Sequence, residues 1–368
     1  MSSAVRSAQR KRDRTRGRGI RARLGDWFRR SLTVFAFLYP ALLLVLVLAL
    51  LFVGERWWVT TVTLYLPRLI FGLPLPFLVG GLLLVGRRRL LWTQAVAAFL
   101  VIFPLMGLVL PWSPSAEGRV KPLRVLSVNV NSGYFGWERI AEAITGYSPD
   151  IVLAQEASWP EPMLVKLRER YPYVETSTQF VIASRFPIAA RTDPDKLPYY
   201  GRQRSPRFMR YVVATPLGTM VFYSVHPVSP RGAFGMNRVS DLVYLARSGK
   251  LMEGEPEADL QGNAGLRDLQ IAAVARMSEK ETLPFVIAGD TNLPTLSAVF
   301  RRELSDLRDA FREAGSGFGY TFPANHPWLR LDRILGSKDI RFVSFEVGCA
   351  GVSDHLCVVA DLERENSN

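Results

Sequence analysis

Asn129, Glu156, His226, Asp290 with Asn292, and the Asp354-His355 pair stand out because each falls at an end of a short apolar segment. Carboxylates, amides and imidazoles are the groups that ligate hard cations, move protons and donate hydrogen bonds to anions, so a site assembled from them would do metal-assisted acid–base chemistry. Each alone has a plainer reading. Gly289-Asp290-Thr291-Asn292 makes a tight turn with Asx hydrogen bonds, and Ser353-Asp354-His355 opens a strand. Their joint occurrence sets them apart, as does the economy of histidine: of three in the chain, His226 and His355 sit in these positions. The third, His326, reads as an exposed loop residue.

Such residues converge only if the segments before and after them are strands of one domain. Leu123–Val130, Asp150–Glu156, Phe180–Arg185, Arg210–Thr215, Met220–His226, Phe285–Asp290, Leu329–Leu335, Ile340–Val347 and His355–Leu362 have strand character. Helical spacing recurs at Trp137–Thr145, Glu161–Glu169, Gly265–Lys280 and Leu296–Leu304. Many strands and few helices predict two packed sheets with helices on the outer faces, an α+β domain over residues 123–364. Ser248–Asn263, Gly-rich and acidic, reads as a solvated surface loop. Cys349 and Cys357 flank the Asp354-His355 pair, and both a disulfide between adjacent strands and two buried thiols fit them.

The first 111 residues have another character. Ser31–Val53, about Val59–Gly86 and Leu90–Leu110 are long apolar runs nearly free of charge, enough for three transmembrane helices, the second interrupted by Arg68, Pro67, Pro74 and Pro76. A two-span arrangement is the alternative. The tail of residues 1–30 carries eleven basic residues against Asp13 and Asp26, and Arg87-Arg88-Arg89 forms a second basic cluster. The positive-inside rule places both in the cytoplasm and everything after Pro111 outside it, in a multi-pass plasma-membrane protein. Residues 112–122 read as a linker. Sixteen of the 46 basic and three of the 33 acidic residues lie in the first 111, which leaves 30 of each beyond. The net charge of +13 therefore belongs to the anchor and argues against a DNA-coating surface on the domain.

Asn129, Gln155-Glu156, Ser184-Arg185-Phe186-Pro187, Ser224-Val225-His226-Pro227, Gly289-Asp290-Thr291-Asn292, Leu331-Asp332-Arg333-Ile334 and Ser353-Asp354-His355, in this order, resemble the endonuclease/exonuclease/phosphatase superfamily. The resemblance spans residues 123–362 and implies a four-layer α/β/β/α sandwich of the DNase I type. It also implies a Mg²⁺- or Mn²⁺-dependent phosphoesterase. In that reading Glu156 ligates the metal, and Asp354, the other metal candidate, hydrogen-bonds within the cluster or reaches a second ion. Asp290 activates water, Asn292 fixes that water or a phosphate oxygen, and His355, oriented by Asp332, faces the phosphate beside His226 and Asn129. Some members carry an aspartate where Asn131 stands, which here either leaves Glu156 to hold the metal largely alone or lowers metal affinity, with Asn131 a substrate contact.

Arg185–Arg210 contains seven basic residues, Arg185 and Arg207 among them, and reads either as a solvated loop or as a clamp for an anionic substrate. A domain tethered close to a bilayer meets lipid-linked phosphates at high effective concentration, so a phosphorylated lipid is the expected substrate and the membrane the expected partner. The layout is similar to that of membrane proteins associated with glycopeptide-antibiotic resistance. Nucleic acid is not favoured as a partner, and no obligate protein partner is evident. An extracytoplasmic nuclease and a catalytically inactive binding module, the latter motivated by Asn131, are the alternatives.

Overall fold

In β1 (Leu123–Asn129), Leu123 and Val125 point to one face, Leu126 and Val128 to the other, and all four are buried. The strand must therefore be covered on both sides. β2 (Ile151–Gln155), β9 (Gly218–Val225) and β10 (Phe285–Asp290) repeat this pattern. The computed structural model describes residues 3–110, 121–199, 204–230 and 255–365.

One six-stranded sheet runs β13-β14-β1-β2-β4-β3, with β3 Tyr173–Ser177, β4 Phe180–Ser184, β13 Ile340–Gly348 and β14 Cys357–Arg364. A second runs β11-β12-β10-β9-β8-β5, with β5 Ile188–Thr192, β8 Phe208–Thr215, β11 Arg308–Asp309 and β12 Asp332–Gly336. The two-residue strands β6 (Leu197–Pro198) and β7 (Arg204–Ser205) pair apart from both. Val125, Leu153 and Ile182 of the first sheet share a core with Tyr211, Phe222, Val286 and Ile334 of the second.

Helices cover the outer faces. Trp137–Gly146 and Glu161–Arg170 lie against the first sheet through Ile140, Ile144, Met163, Leu164 and Leu167. Glu255–Ser278 and Ala298–Glu303 lie against the second through Ile271, Val274, Ala275 and Val299. The predicted four-layer α/β/β/α sandwich is thus the observed one.

The expected loop at Ser248–Asn263 is corrected from Glu255 onward, where the chain is helical; residues 248–254 lie outside the described set. Strands β3 and β5 were not foreseen. Both lie at sheet edges, and four of the five residues in β5 are exposed, so no apolar alternation announces them.

Residues separate into two compact units, Met1–Leu48 with Arg68–Met106, and Ala49–Pro67 with Gly107–Asn368. In the first, Leu32, Ala36 and Leu82 form a small core, and Gln94 Nε2 donates to the Ala36 carbonyl at 3.2 Å. Gly25–Phe52 and Arg88–Leu105 are long and apolar enough to cross a membrane. The second expected span is not one continuous helix: it breaks at Leu66–Pro67, between Trp58–Tyr65 and Arg68–Leu84. Leu66 before Pro67 is extended, at φ −70° and ψ 149°, as a residue preceding proline prefers. The linker of residues 112–122 falls mostly outside the described residues.

Candidate active site

Strand direction explains why the six positions meet. β1 and β2 are parallel, with Asn129 opposite Gln155, so Asn129 and Glu156 emerge from the same edge. β9 and β10 are parallel in the other sheet, with Gly289 opposite Val225, so His226 and Asp290 emerge together. β12 is antiparallel to β10 and begins there, with Asp332 paired directly to Asp290. β14 is antiparallel to β1, which brings the preceding Ser353–His355 turn to the same end. One layer below, buried Gln155 joins the sheets, donating from Nε2 to Ser224 Oγ at 3.0 Å and to Ser127 Oγ at 3.3 Å.

Asn129 Nδ2 lies between two carboxylates, 3.1 Å from Glu156 Oε1 and 3.3 Å from Asp290 Oδ2. His226 Nε2 faces the same two groups, at 3.4 Å from Glu156 Oε1 and 3.8 Å from Asp290 Oδ2. Its Nδ1 is 2.6 Å from Gln179 Oε1, which as an acceptor fixes the proton on Nδ1. On the other side of Asp290, His355 Nε2 stands 3.6 Å from Asp290 Oδ2, and His355 Nδ1 is 2.8 Å from Asp332 Oδ2. The Phe322 ring lies against this imidazole at 4.7 Å between centroids.

Electrostatics follow from this burial. Burial pulls the His355 imidazolium down, but the Asp332 and Asp290 carboxylates more than offset it and the group is pushed up to about 10. His355 is therefore a cation at neutral pH. For Asp290, burial pushes the carboxyl up, against the opposing pull of His355. A carboxyl made more basic by burial is suited to accept a proton.

Asp290 and Asp332 thus flank the His355 imidazolium, and Glu156 stands on the other side of Asp290 beside His226. Asp332 Oδ1 is buried without a hydrogen-bond partner among the described residues, and the Asp290 and Asp332 carboxylates offer oxygens within 4.8 Å of one another, whereas the charged His355 has no lone pair to give. The set is rich in hard oxygen donors and net negative, which fits a divalent cation. With its side chain 32% exposed against 2% for Asp290, Glu156 is the more accessible carboxylate.

The geometry changes several expected roles. Arg185 is not brought to the site. Ile151 pairs with Ser184, which puts Arg185 at the start of β2, roughly 16 Å of strand from Glu156. There it pairs with Asp150 at 3.5 Å, so it is dropped as a substrate contact. Arg207 does lie beside the site: its carbonyl accepts from the His226 N–H at 2.9 Å, and its guanidinium stacks on Tyr199 at 4.2 Å. Asn292 directs its amide to the Pro227 carbonyl at 3.1 Å and its own N–H to Asp290 Oδ1 at 2.9 Å, which makes it a scaffold of the turn. Asn131 borders the site through its N–H, which donates to Asn129 Oδ1 at 3.0 Å. Asp354 Oδ1 accepts from Ser353 Oγ at 3.3 Å, and its carboxylate adds to the charge that raises His355.

Sequence reasoning passed over Gln179, which sets the His226 tautomer from the β3–β4 turn and which no local pattern marks. Ser353, part of the Ser353-Asp354-His355 motif but given no role of its own, donates its hydroxyl to the Asn129 carbonyl at 2.7 Å. The pairing of Cys349 and Cys357, left open by the sequence, is a disulfide that closes the turn holding Ser353–His355.

The family model described as Endonuclease/Exonuclease/phosphatase family matches residues 126–355. No curated protein matches the chain. Among solved structures, SmcL aligns at a TM-score of 0.50 and 14% identity, covering 66% of this chain and 99% of that one. The endonuclease/exonuclease/phosphatase from Beutenbergia cavernae DSM 12333 aligns at 0.46 and 20% identity, covering 67% and 73%. Beta toxin from Staphylococcus aureus aligns at 0.46 and 16%, covering 65% and 99%. At these identities the likeness to SmcL is one of fold. The family match covers more than half of the chain, and its limits enclose the strand ends that carry the site from Asn129 to His355; the chain belongs to the endonuclease/exonuclease/phosphatase family.

Proposed function

We propose that this chain hydrolyses phosphate ester or pyrophosphate bonds of lipid-linked substrates, such as a polyprenyl or phospholipid headgroup, on the extracytoplasmic face of the membrane. Family members are phosphoesterase hydrolases and are generally divalent-metal dependent. The observation that carries the reading is the convergence of Asp290 with Asn129 on one side and the Asp332-oriented His355 on the other.

In this mechanism Asp290 takes the proton from a water that attacks phosphorus in line, and its burial-raised carboxyl suits that task. His355, held by Asp332, presents Nε2–H to a non-bridging phosphate oxygen, where a fixed positive charge stabilises the transition state more than the ground state. Asn129 donates to the same phosphate, beside His226. Glu156 would hold Mg²⁺ or Mn²⁺, which when bound supplies Lewis-acid neutralisation of phosphate charge.

Support for the substrate class comes from the two apolar helices Gly25–Phe52 and Arg88–Leu105, together with the zero charge balance beyond residue 111. The Arg-rich tail and the Cys349–Cys357 disulfide both favour a domain outside the reducing cytoplasm. The test is release of phosphate or headgroup by the full chain in detergent, with Mg²⁺, Mn²⁺ or EDTA. The substrates are a polyprenyl pyrophosphate, a phospholipid, supercoiled DNA and a generic diester, each beside Asp290→Asn. Metal-dependent release from lipid substrates, abolished in Asp290→Asn, is expected. Cleavage of DNA alone would replace the reading with a nuclease, and inactivity on all four by a folded protein would replace it with a binding module.

A further inference from the structure

Ala49–Pro67 connects the first apolar helix to the broken second run, yet it packs with the catalytic residues in one compact unit. Its chemistry there is specific. Glu55, buried, receives Ser297 Oγ, the Ala298 N–H at 3.0 Å and the Val299 N–H at 3.4 Å, so its carboxylate caps the helix Ala298–Glu303. Gly54, at φ +52°, is where this approach is closest; a Cβ there would stand 2.5 Å from that of Ala298. Tyr65, also buried, donates its hydroxyl to the Asn292 carbonyl at 2.8 Å and accepts Trp328 Nε1 on its own carbonyl at 3.2 Å. Arg301 lies over Phe52 at 4.7 Å.

These contacts bracket the turn that follows Asp290. Asn292 is a non-glycine residue at φ +50°, a conformation that its surroundings must maintain. Its carbonyl is held by Tyr65, its N–H holds Asp290 Oδ1, and Asp290 Oδ2 faces Asn129 and His355. A displacement at Tyr65 therefore reaches the reacting carboxylate through two hydrogen bonds. Further along, Glu55 fixes Ser297, where the turn becomes helix.

We propose that Ala49–Pro67 is a working part of the active site, with Glu55 and Tyr65 as positioning residues that hold the Asp290–Asn292 turn. The catalytic half of this inference rests on the phosphoesterase reading above; the structural half does not. Part of the membrane-anchor sequence thereby completes the site, and activity depends on the full chain in a way that a tether alone would not produce.

The experiment uses the full chain in detergent as wild type, Tyr65→Phe, Glu55→Ala, Glu55→Gln and Asp290→Asn. Two quantities are read: kcat and KM on bis(p-nitrophenyl) phosphate with Mn²⁺, and amide hydrogen exchange across Thr291–Val299. Tyr65→Phe removes one oxygen and is expected to lower kcat about fivefold with KM unchanged, as for one lost hydrogen bond. Exchange at Asn292 and Leu293 is expected to rise about fivefold or more. Glu55→Ala should do the same at Ala298 and Val299 with a larger loss of kcat, and Glu55→Gln, which keeps an acceptor, should recover part of both. Unchanged exchange in Tyr65→Phe and Glu55→Ala would overturn the proposal whatever the activity. Faster exchange with kcat within twofold of wild type would overturn the catalytic half while Asp290→Asn is inactive. If the wild type itself is inactive on the diester, the phosphoesterase reading has failed, and the exchange data alone decide whether the segment positions the turn.

Discussion

Replacing Asp332 by asparagine keeps the shape of the side chain and removes its charge. Asp332 is fully buried, lies 2.8 Å from His355 Nδ1, and is the leading cause that raises the imidazole against its burial. Breaking a buried charge pair costs ~3–5 kcal/mol. Asparagine still offers an oxygen acceptor, so the lower end, about 3 kcal/mol of stability, is expected. For the reaction, an imidazolium fixed toward the phosphate becomes a mostly neutral, less oriented ring, a loss on the order of 10²–10³ in kcat.

The pH profile separates this from simple loosening. The folded value of about 10 lies above the ordinary 6.5, so the stability that the charged imidazole contributes is complete below pH 6.5 and is lost as pH rises through 10. Wild-type kcat, measured on a generic diester with saturating Mn²⁺, should therefore show no loss attributable to His355 below about pH 9. In Asp332→Asn the imidazole titrates closer to its ordinary value, and the residual rate should fall through the neutral range. Thermal melts at each pH establish that the variant is folded. A folded Asp332→Asn with kcat within threefold of wild type and an unchanged alkaline limb would refute the assignment of His355 as the charged phosphate contact.

Gly289→Ala would place a Cβ 2.0 Å from the Val225 carbonyl oxygen at a residue with φ +150°, which β9 and β10 can accommodate only by separating. A loss of about 4 kcal/mol or more, seen as a melting point lower by about 10 °C, is expected together with loss of activity; a melt and kcat within error of wild type would contradict it. Replacing Cys349 and Cys357 together by serine should cost about 2–3 kcal/mol by freeing the turn that carries His355, read as a lower melting point without added reductant. Arg185→Ala, at the far end of β2, should leave kcat/KM on anionic substrates within twofold, since deletion of one exposed pair is worth about 0–1 kcal/mol; a tenfold loss would restore Arg185 to the site.

Most of the site was legible because its members stand at strand ends, and the strands that carry them are central ones with two apolar faces. Asn129, Glu156, His226 and Asp290 all follow such strands, and Asp332 and His355 precede or open them. What the sequence hid depends on register and on distant partners. Arg185 looked like a member of the basic clamp until the antiparallel pairing of β2 with β4 set it at the wrong end. Gln179 acts through a side-chain hydrogen bond to a distant residue that leaves no periodic trace, and the role of Ser353 within its motif shows only once β1 lies beside it. Tyr65 lies 227 residues from the Asn292 carbonyl that it holds, inside a run that reads as membrane anchor. The helical stretch from Glu255 was obscured because acids and glycines mark loops on average.

Asn131 is the residue that most invites a binding-only reading, and its conformation bears on that. It sits at φ +45°, followed by Ser132 at φ +53°. Asparagine is among the few non-glycine residues that enter this region readily, so the turn itself accounts for an amide here. Its N–H donates to Asn129 Oδ1, which leaves the Asn129 amide group free to lie between Glu156 and Asp290. A carboxylate at position 131 would add a fourth negative group to a site that already sets Glu156, Asp290 and Asp332 against one imidazolium. The neutral residue lowers that repulsion without removing the proton acceptor, the charged imidazole or the accessible Glu156. Asn131 therefore bears on how tightly a cation is held, and the groups that would move the proton are all in place without it.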